Sequence, residues 1–144
     1  MIPLRDFESY LEDGTVRKIT PDINRAKYLR EEAGKRFLFI TKLIKNQGIT
    51  DDNANYVIEN CYNVLSELLR AKMLEKGYAS SGQGSHESEV AFMRTLSLPE
   101  PEISLMNELR YYRNGIQYYG KILEKDYAEK VDRFMRHLLP KLDK

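Results

Sequence analysis

Apolar residues recur at three- and four-residue intervals along most of this chain, the spacing that collects them on one face of an α-helix. The first such segment opens at Thr20-Pro21, a capping hydroxyl followed by a proline whose fixed φ suits a first helical turn, and runs to about Asn46. Its inward stripe is Ile23, Ala26, Leu29, Ala33, Phe37, Ile40 and Ile44. The second starts behind Thr50-Asp51-Asp52, which supply a capping hydroxyl and two acids for the positive helix end, and stops at Gly77. Its apolar positions Ala54, Val57, Ile58, Cys61, Val64, Leu65 and Leu68 cover a wide arc, as a central helix contacted by several others requires. Glu59, Asn63, Glu67 and Arg70 are left as a polar strip.

Residues 78–84 read as a small-residue loop, and Ser85-His86-Glu87 as a cap opening a shorter helix to about Leu96. Leu98-Pro99-Glu100-Pro101 breaks that helix. In the helix that follows, Leu105, Leu109, Tyr112, Ile116, Tyr119 and Leu123 gather on one face, opposite Arg110, Arg113, Asn114, Gln117 and Lys121. It slackens near Gly120, and Glu124-Lys125-Asp126 leads into a last amphipathic helix with Val131, Phe134, Met135, Leu138 and Leu142 inside. No stretch alternates with the β period, and nothing repeats at a fixed interval. The expectation is an all-α protein, an up-and-down helical bundle of four to five helices over residues 20–144. Residues 1–19, with Phe7, Tyr10 and Leu11 before Gly14, form a short helix or an N-terminal arm.

A length of 144 residues suits one domain with one core, and 42% hydrophobic against 31% charged residues is a globular balance, not a disordered one. No apolar run reaches membrane-spanning length and the N-terminus lacks a signal-peptide pattern, so a cytoplasmic location without membrane contact is expected. The single cysteine, Cys61, excludes an intrachain disulfide and reads as core. Charge is unevenly spread. Residues 1–50 carry 10 Lys+Arg against 7 Asp+Glu, residues 51–100 carry 4 against 8, and residues 101–144 carry 9 against 7. The chain is not generally basic, so any phosphate contact needs a local patch.

That patch is the polar stripe of the fourth segment. Guanidinium forks match phosphate oxygens, and the amides of Asn114 and Gln117 add orientable donors and acceptors. The alternative is a solvated helix face. Other chemistries are poorly supplied. The residues three before the two histidines are Gln83 and Phe134, so no Glu-x-x-His pair exists for a di-metal site, and no Cys/His cluster exists for zinc. Gly82-Gln83-Gly84 lacks the Lys-Ser/Thr of a phosphate-binding loop. Neither a metal nor a cofactor is expected. Glu67 and Arg70 have the spacing of a surface ion pair, and His86 that of a residue at a helix start.

With these residues in view, the chain resembles the HEPN family of all-α nucleotide-binding domains, whose motif is an arginine, usually a polar residue next, and a histidine four to six positions on. Here Arg113-Asn114-Gly115-Ile116-Gln117-Tyr118 is similar to the variant with tyrosine at the histidine position. Asn60-Cys61-Tyr62 through Glu67-Leu68-Leu69-Arg70-Ala71, Lys76-Gly77-Tyr78, Ser85-His86-Glu87 and the opening Gly14-Thr15-Val16-Arg17-Lys18-Ile19 before Pro21 also look like that group. The likeness spans about residues 14–142.

The resemblance implies a homodimer with the motif helices near its interface, and in some members a nucleotidyltransferase-like (MNT) antitoxin partner. In catalytic members the chemistry is metal-independent RNA cleavage, in which the arginine stabilises phosphorane charge and the histidine moves a proton. Carried over, Arg113 is the electrostatic group, Asn114 its positioning partner, and Tyr118 occupies the histidine position. Arg110, Gln117, Lys121, His86, Glu67 and Arg70 are the further binding candidates. A phenol with an ordinary pKa near 10 is a poor base at neutral pH, which favours a nucleotide- or RNA-binding dimer with weak or no catalysis. The alternatives are an active toxin-type endoribonuclease using Arg113 and a purely structural helical dimer. Tyr118 is then free to stack on a base, and His86 to substitute for the missing histidine in space.

Overall fold

The wide apolar arc of the second predicted helix puts that helix at the centre of the molecule. The computed structural model describes residues 3–119 and 122–143, the side chains of 117–119 excepted. Its elements are α1 (Phe7–Glu12), β1 (Val16–Lys18), α2 (Ile23–Gln47), α3 (Ala54–Glu75), β2 (Tyr78–Ser80), α4 (Ser85–Phe92) with a 3-10 turn (Met93–Leu96), α5 (Glu100–Tyr119) and α6 (Lys125–Leu142). The chain is mostly helical, an all-α bundle. α2, α4, α5 and α6 all pack on α3, whose buried positions include every one of the seven expected.

Contacts along the helices fix their directions. Arg30 pairs with Glu75 and Arg36 with Glu67, so α2 and α3 run antiparallel. Asn55 Oδ1 accepts from Leu123 N at 2.8 Å, and Arg30 Nη1 donates to Leu142 O at 3.2 Å, so α6 runs alongside α3 in the same sense. Glu102 near the start of α5 meets His137 and Lys141 near the end of α6, and Tyr112 stacks edge-on with Tyr127 at 5.3 Å. α5 is therefore antiparallel to α6.

The helix ends differ in detail from the sequence expectation. α2 is capped by Asp22, which accepts from Arg25 N at 3.1 Å, two residues beyond Thr20. Ile23 is 59% exposed as a result, because it stands in the first turn outside the packed stripe. α3 begins after Asn53, which exchanges hydrogen bonds with Thr50, while Asp51 Oδ1 instead accepts from Lys125 N and caps the start of α6. Ser85 is the first residue of α4 and not its cap; that place is taken by Gly84 at φ 88.

Two corrections matter more. The first is a small antiparallel sheet, Val16↔Ser80 to Lys18↔Tyr78, where no strand was expected. Three-residue strands are too short for a period-two signal, and tertiary pairing makes them. Through β1 and α1, residues 7–18 join the main core, with Phe7, Tyr10 and Val16 buried in the same cluster as α3. The second concerns α5. Its deepest residues are Ile103, Met106, Leu109 and the amide Asn107, while Leu105 and Ile116 are only partly buried. The inward face is thus turned toward Arg110, whose side chain is 12% exposed and lies 3.8 Å from Glu87 of α4. Among the described residues no helix is long and apolar enough to cross a membrane.

Candidate functional site

The site grows from a carboxylate placed where a carboxylate is costly. Glu89 stands on the buried face of α4, 1% exposed. Its Oε1 accepts from Ser66 Oγ at 2.6 Å and its Oε2 from Arg70 Nε at 2.9 Å, both donors reaching across from α3. His86, one turn earlier on α4, brings Nδ1 to 3.4 Å from Oε1. Burial alone raises a carboxyl pKa, but His86, Arg70 and Ser66 together bring that of Glu89 below its ordinary value, so the group is ionised. The pairing holds the Arg70 guanidinium in its charged form, against the burial that opposes it.

Above this pair lies Tyr62, one turn before Ser66 on α3. Its ring centroid is 6.0 Å from that of His86, and the Arg113 guanidinium lies 5.7 Å from the same centroid. The Tyr62 hydroxyl and Arg113 Nε are both buried without a hydrogen-bond partner. Burial, then Glu89, pushes the Tyr62 phenol far above its ordinary pKa, with Arg113, Arg110 and Arg70 pulling the other way. Three arginines thus surround one phenol ring.

Arg110 completes the arrangement. Its side chain is 12% exposed, its Nε donates to Asn107 Oδ1 at 3.1 Å, and its Nη1 lies 3.8 Å from Glu87 Oε1. Glu87 in turn accepts from Tyr10 OH at 3.0 Å, which ties α1 to the site. Between α4 and α5 opens a cavity of about 450 Å³ lined by Gly82, Gln83, Gly84, Ser85, His86, Glu87, Arg110 and Asn114. Gly82 and Gly84 both have positive φ, which folds the loop tightly over the first turn of α4.

Of the candidates from sequence, Arg110, Asn114 and His86 line this cavity, and Arg113 and Arg70 stand behind it on Tyr62 and Glu89. Glu67 does not join them. It contacts Arg36 of α2, and burial raises its pKa against that cation. The expected Glu67–Arg70 surface pair is therefore replaced by two separate pairings in opposite directions. The side chains of Gln117 and Tyr118, and the whole of Lys121, lie outside the described residues. Cys61 is buried and its thiol raised by desolvation, so it is no nucleophile here.

Sequence reasoning missed Glu89 and Ser66. A signal for Glu89 exists: it shares a helical face with His86, Phe92 and Met93, a carboxylate three or four residues from apolar core positions. Ser66 carried none, since a lone serine among apolar neighbours reads as filler.

An anionic ligand with hydrogen-bonding oxygens fits this chemistry. Arg110 and the Asn114 amide offer donors, and a histidine stands at the same opening. Among the described residues no group of three or more His, Cys, Asp or Glu side chains converges for a metal ion. No family model, no curated protein and no solved structure matches the chain.

Proposed function

We propose that this chain is a HEPN-type helical module that binds the phosphate backbone of RNA, or a nucleotide, in the cavity between α4 and α5. The observation that supports this most is the convergence of Arg110, Asn114 and His86, from two helices, on one opening backed by Arg113 and Arg70. A phosphate there meets a guanidinium that is mostly withdrawn from water, where charge-assisted hydrogen bonds gain strength. The module acts as a homodimer, and a nucleotidyltransferase-like antitoxin is its expected partner.

The test is fluorescence anisotropy with an end-labelled RNA in EDTA across a salt series. Arg110→Ala is expected to weaken binding and to flatten the dependence of log K on log salt by about 0.7 to 1 unit, the loss of one phosphate contact. Binding that ignores both the salt and the substitution would sink the reading. A second reading, an active metal-independent endoribonuclease, is favoured by His86, an imidazole lining the same cavity as Arg110 and Asn114.

A further inference from the structure

We infer that Tyr10 of α1 keeps the cavity between α4 and α5 open to anions: by tethering Glu87 it holds a built-in competitor off Arg110. The inference rests on the anion-binding reading of that cavity and adds to it a control exerted by the N-terminal segment.

The two oxygens of the Glu87 carboxylate have different partners. Oε2 accepts a hydrogen bond from Tyr10 OH at 3.0 Å. Oε1 stands 3.8 Å from Arg110 Nη1, within ion-pair range but beyond hydrogen-bond reach. Arg110 is mostly withdrawn from water, and its Nε is already committed to Asn107 Oδ1, so its attraction for a neighbouring carboxylate is weakly screened. A cation and a carboxylate this close stay apart because turning Glu87 fully onto Arg110 costs the Tyr10 hydrogen bond.

The hold is firm on the α1 side. Phe7, one turn before Tyr10, packs edge-on against Tyr78 and Phe92 with ring centroids 5.2 and 5.3 Å away, which fixes α1 to the core. Tyr10 is fully buried, and burial and Glu87 both raise its pKa, so its hydroxyl remains a donor at neutral pH. The Arg5 guanidinium lies 4.3 Å from the Tyr10 ring centroid, but Asp13 holds it at 2.9 Å, which leaves Arg110 as the cation toward which Glu87 turns.

For a ligand the consequence is competition. Glu87 and Arg110 line the same cavity, and a carboxylate carried on the adjoining helix is present at a high effective concentration. While Tyr10 holds Oε2, an entering anion meets a guanidinium without a hydrogen-bonded carboxylate. Once that hydroxyl is gone, Glu87 closes on Arg110 and makes internally the charge-assisted hydrogen bond that the ligand needs. Displacing α1 from the core does the same, so the segment before β1 is a switch on the site. Tyr10 is a positioning residue that acts only through Glu87.

Isothermal titration calorimetry of the full-length chain with inorganic pyrophosphate reads anion binding whether or not RNA is the natural occupant. Tyr10→Phe, with its helical circular dichroism intact, is expected to weaken pyrophosphate binding about three- to tenfold. Glu87→Gln removes the competing charge but leaves an acceptor for Tyr10; it should tighten binding by a similar factor, and the double substitution should bind like Glu87→Gln. Loss of the Tyr10 effect in the Glu87→Gln background is a result that a merely structural role does not produce. A Tyr10→Phe protein that binds as well as wild type or better, or a weakening that persists in the double substitution, overturns the inference. The same proteins with end-labelled 2′-O-methyl RNA separate it from the reading it rests on. The expected pattern for pyrophosphate with no RNA binding supports the inference and overturns the RNA reading, whereas Arg110-dependent RNA binding that ignores Tyr10→Phe does the reverse. Pyrophosphate binding that is the same in Arg110→Ala as in wild type overturns the inference.

Discussion

Arg70 Nε donates to Glu89 Oε2 at 2.9 Å across the contact between α3 and α4, with the carboxylate almost wholly out of water. Breaking such a pair from one side leaves an uncompensated buried charge, which typically costs about 3 to 5 kcal/mol. Arg70→Met and Glu89→Ala are each expected to lose stability of that order in urea denaturation. Glu89→Gln keeps the volume and an acceptor for Arg70, so it should lose less. The double substitution Arg70→Met, Glu89→Leu should lose clearly less than the two single losses combined, because neither charge is then stranded.

Acid sensitivity follows from carboxylates held below their usual range. Hydrogen bonds from Thr15 bring Asp13 to about 2, Arg30 lowers Glu75, and Lys141 with His137 lowers Glu102 against its partial burial. A group whose folded pKa is depressed contributes stability above its unfolded value and loses it as the pH falls through the folded one. Thermal midpoints should therefore drop progressively from the ordinary carboxylate range near pH 4.5 down toward pH 2. Glu67 runs the other way: burial raises its pKa, so its contribution is full in acid and shrinks as the pH rises. Glu67→Gln should gain on wild type with rising pH, and a constant difference across that range would contradict the assignment.

Gly77 lies between α3 and β2 at φ +85, and a Cβ there would stand 2.8 Å from the Ile19 carbonyl oxygen. That oxygen belongs to the backbone that extends the small sheet, since Ile19 N donates to Gly77 O at 2.8 Å. Gly14 has nearly the same φ, +83, but open space around it. Both alanine substitutions pay the left-handed backbone strain of roughly 1 to 2 kcal/mol. Only Gly77→Ala adds the clash, so it should lower the thermal midpoint markedly more than Gly14→Ala.

The difference between what was legible in the sequence and what was not has a physical cause. α6 was read correctly from Val131, Phe134, Met135, Leu138 and Leu142 because α6 packs chiefly on one neighbour, α3. The wide arc of α3 announced its central place for a similar reason. Arg110 and Arg113 were found, yet the face they occupy was read as the outer one, since a helix wheel registers polarity and not what covers it. Ion pairs such as Arg70–Glu89 and Arg36–Glu67 join residues 19 and 31 positions apart, and no local periodicity encodes their choice of partner. The strands β1 and β2 escaped because each exists only against the other.

Tyr62 separates the fold's needs from the ligand's. Its hydroxyl is buried with no hydrogen-bond partner, a desolvation cost that Tyr62→Phe removes while keeping the ring. That variant should be more stable than wild type by up to about 1 kcal/mol and should bind RNA unchanged, since the fully buried hydroxyl is out of a ligand's reach. Tyr62→Leu removes the ring itself. It should cost about 1 to 3 kcal/mol in packing and weaken RNA binding roughly two- to fivefold, because the Arg113 guanidinium loses the face it rests on at 5.7 Å. Urea denaturation and anisotropy on the two variants read these effects independently. Were Tyr62→Phe to weaken binding as much as Tyr62→Leu, the hydroxyl and not the ring would be the group that prepares Arg113 for phosphate.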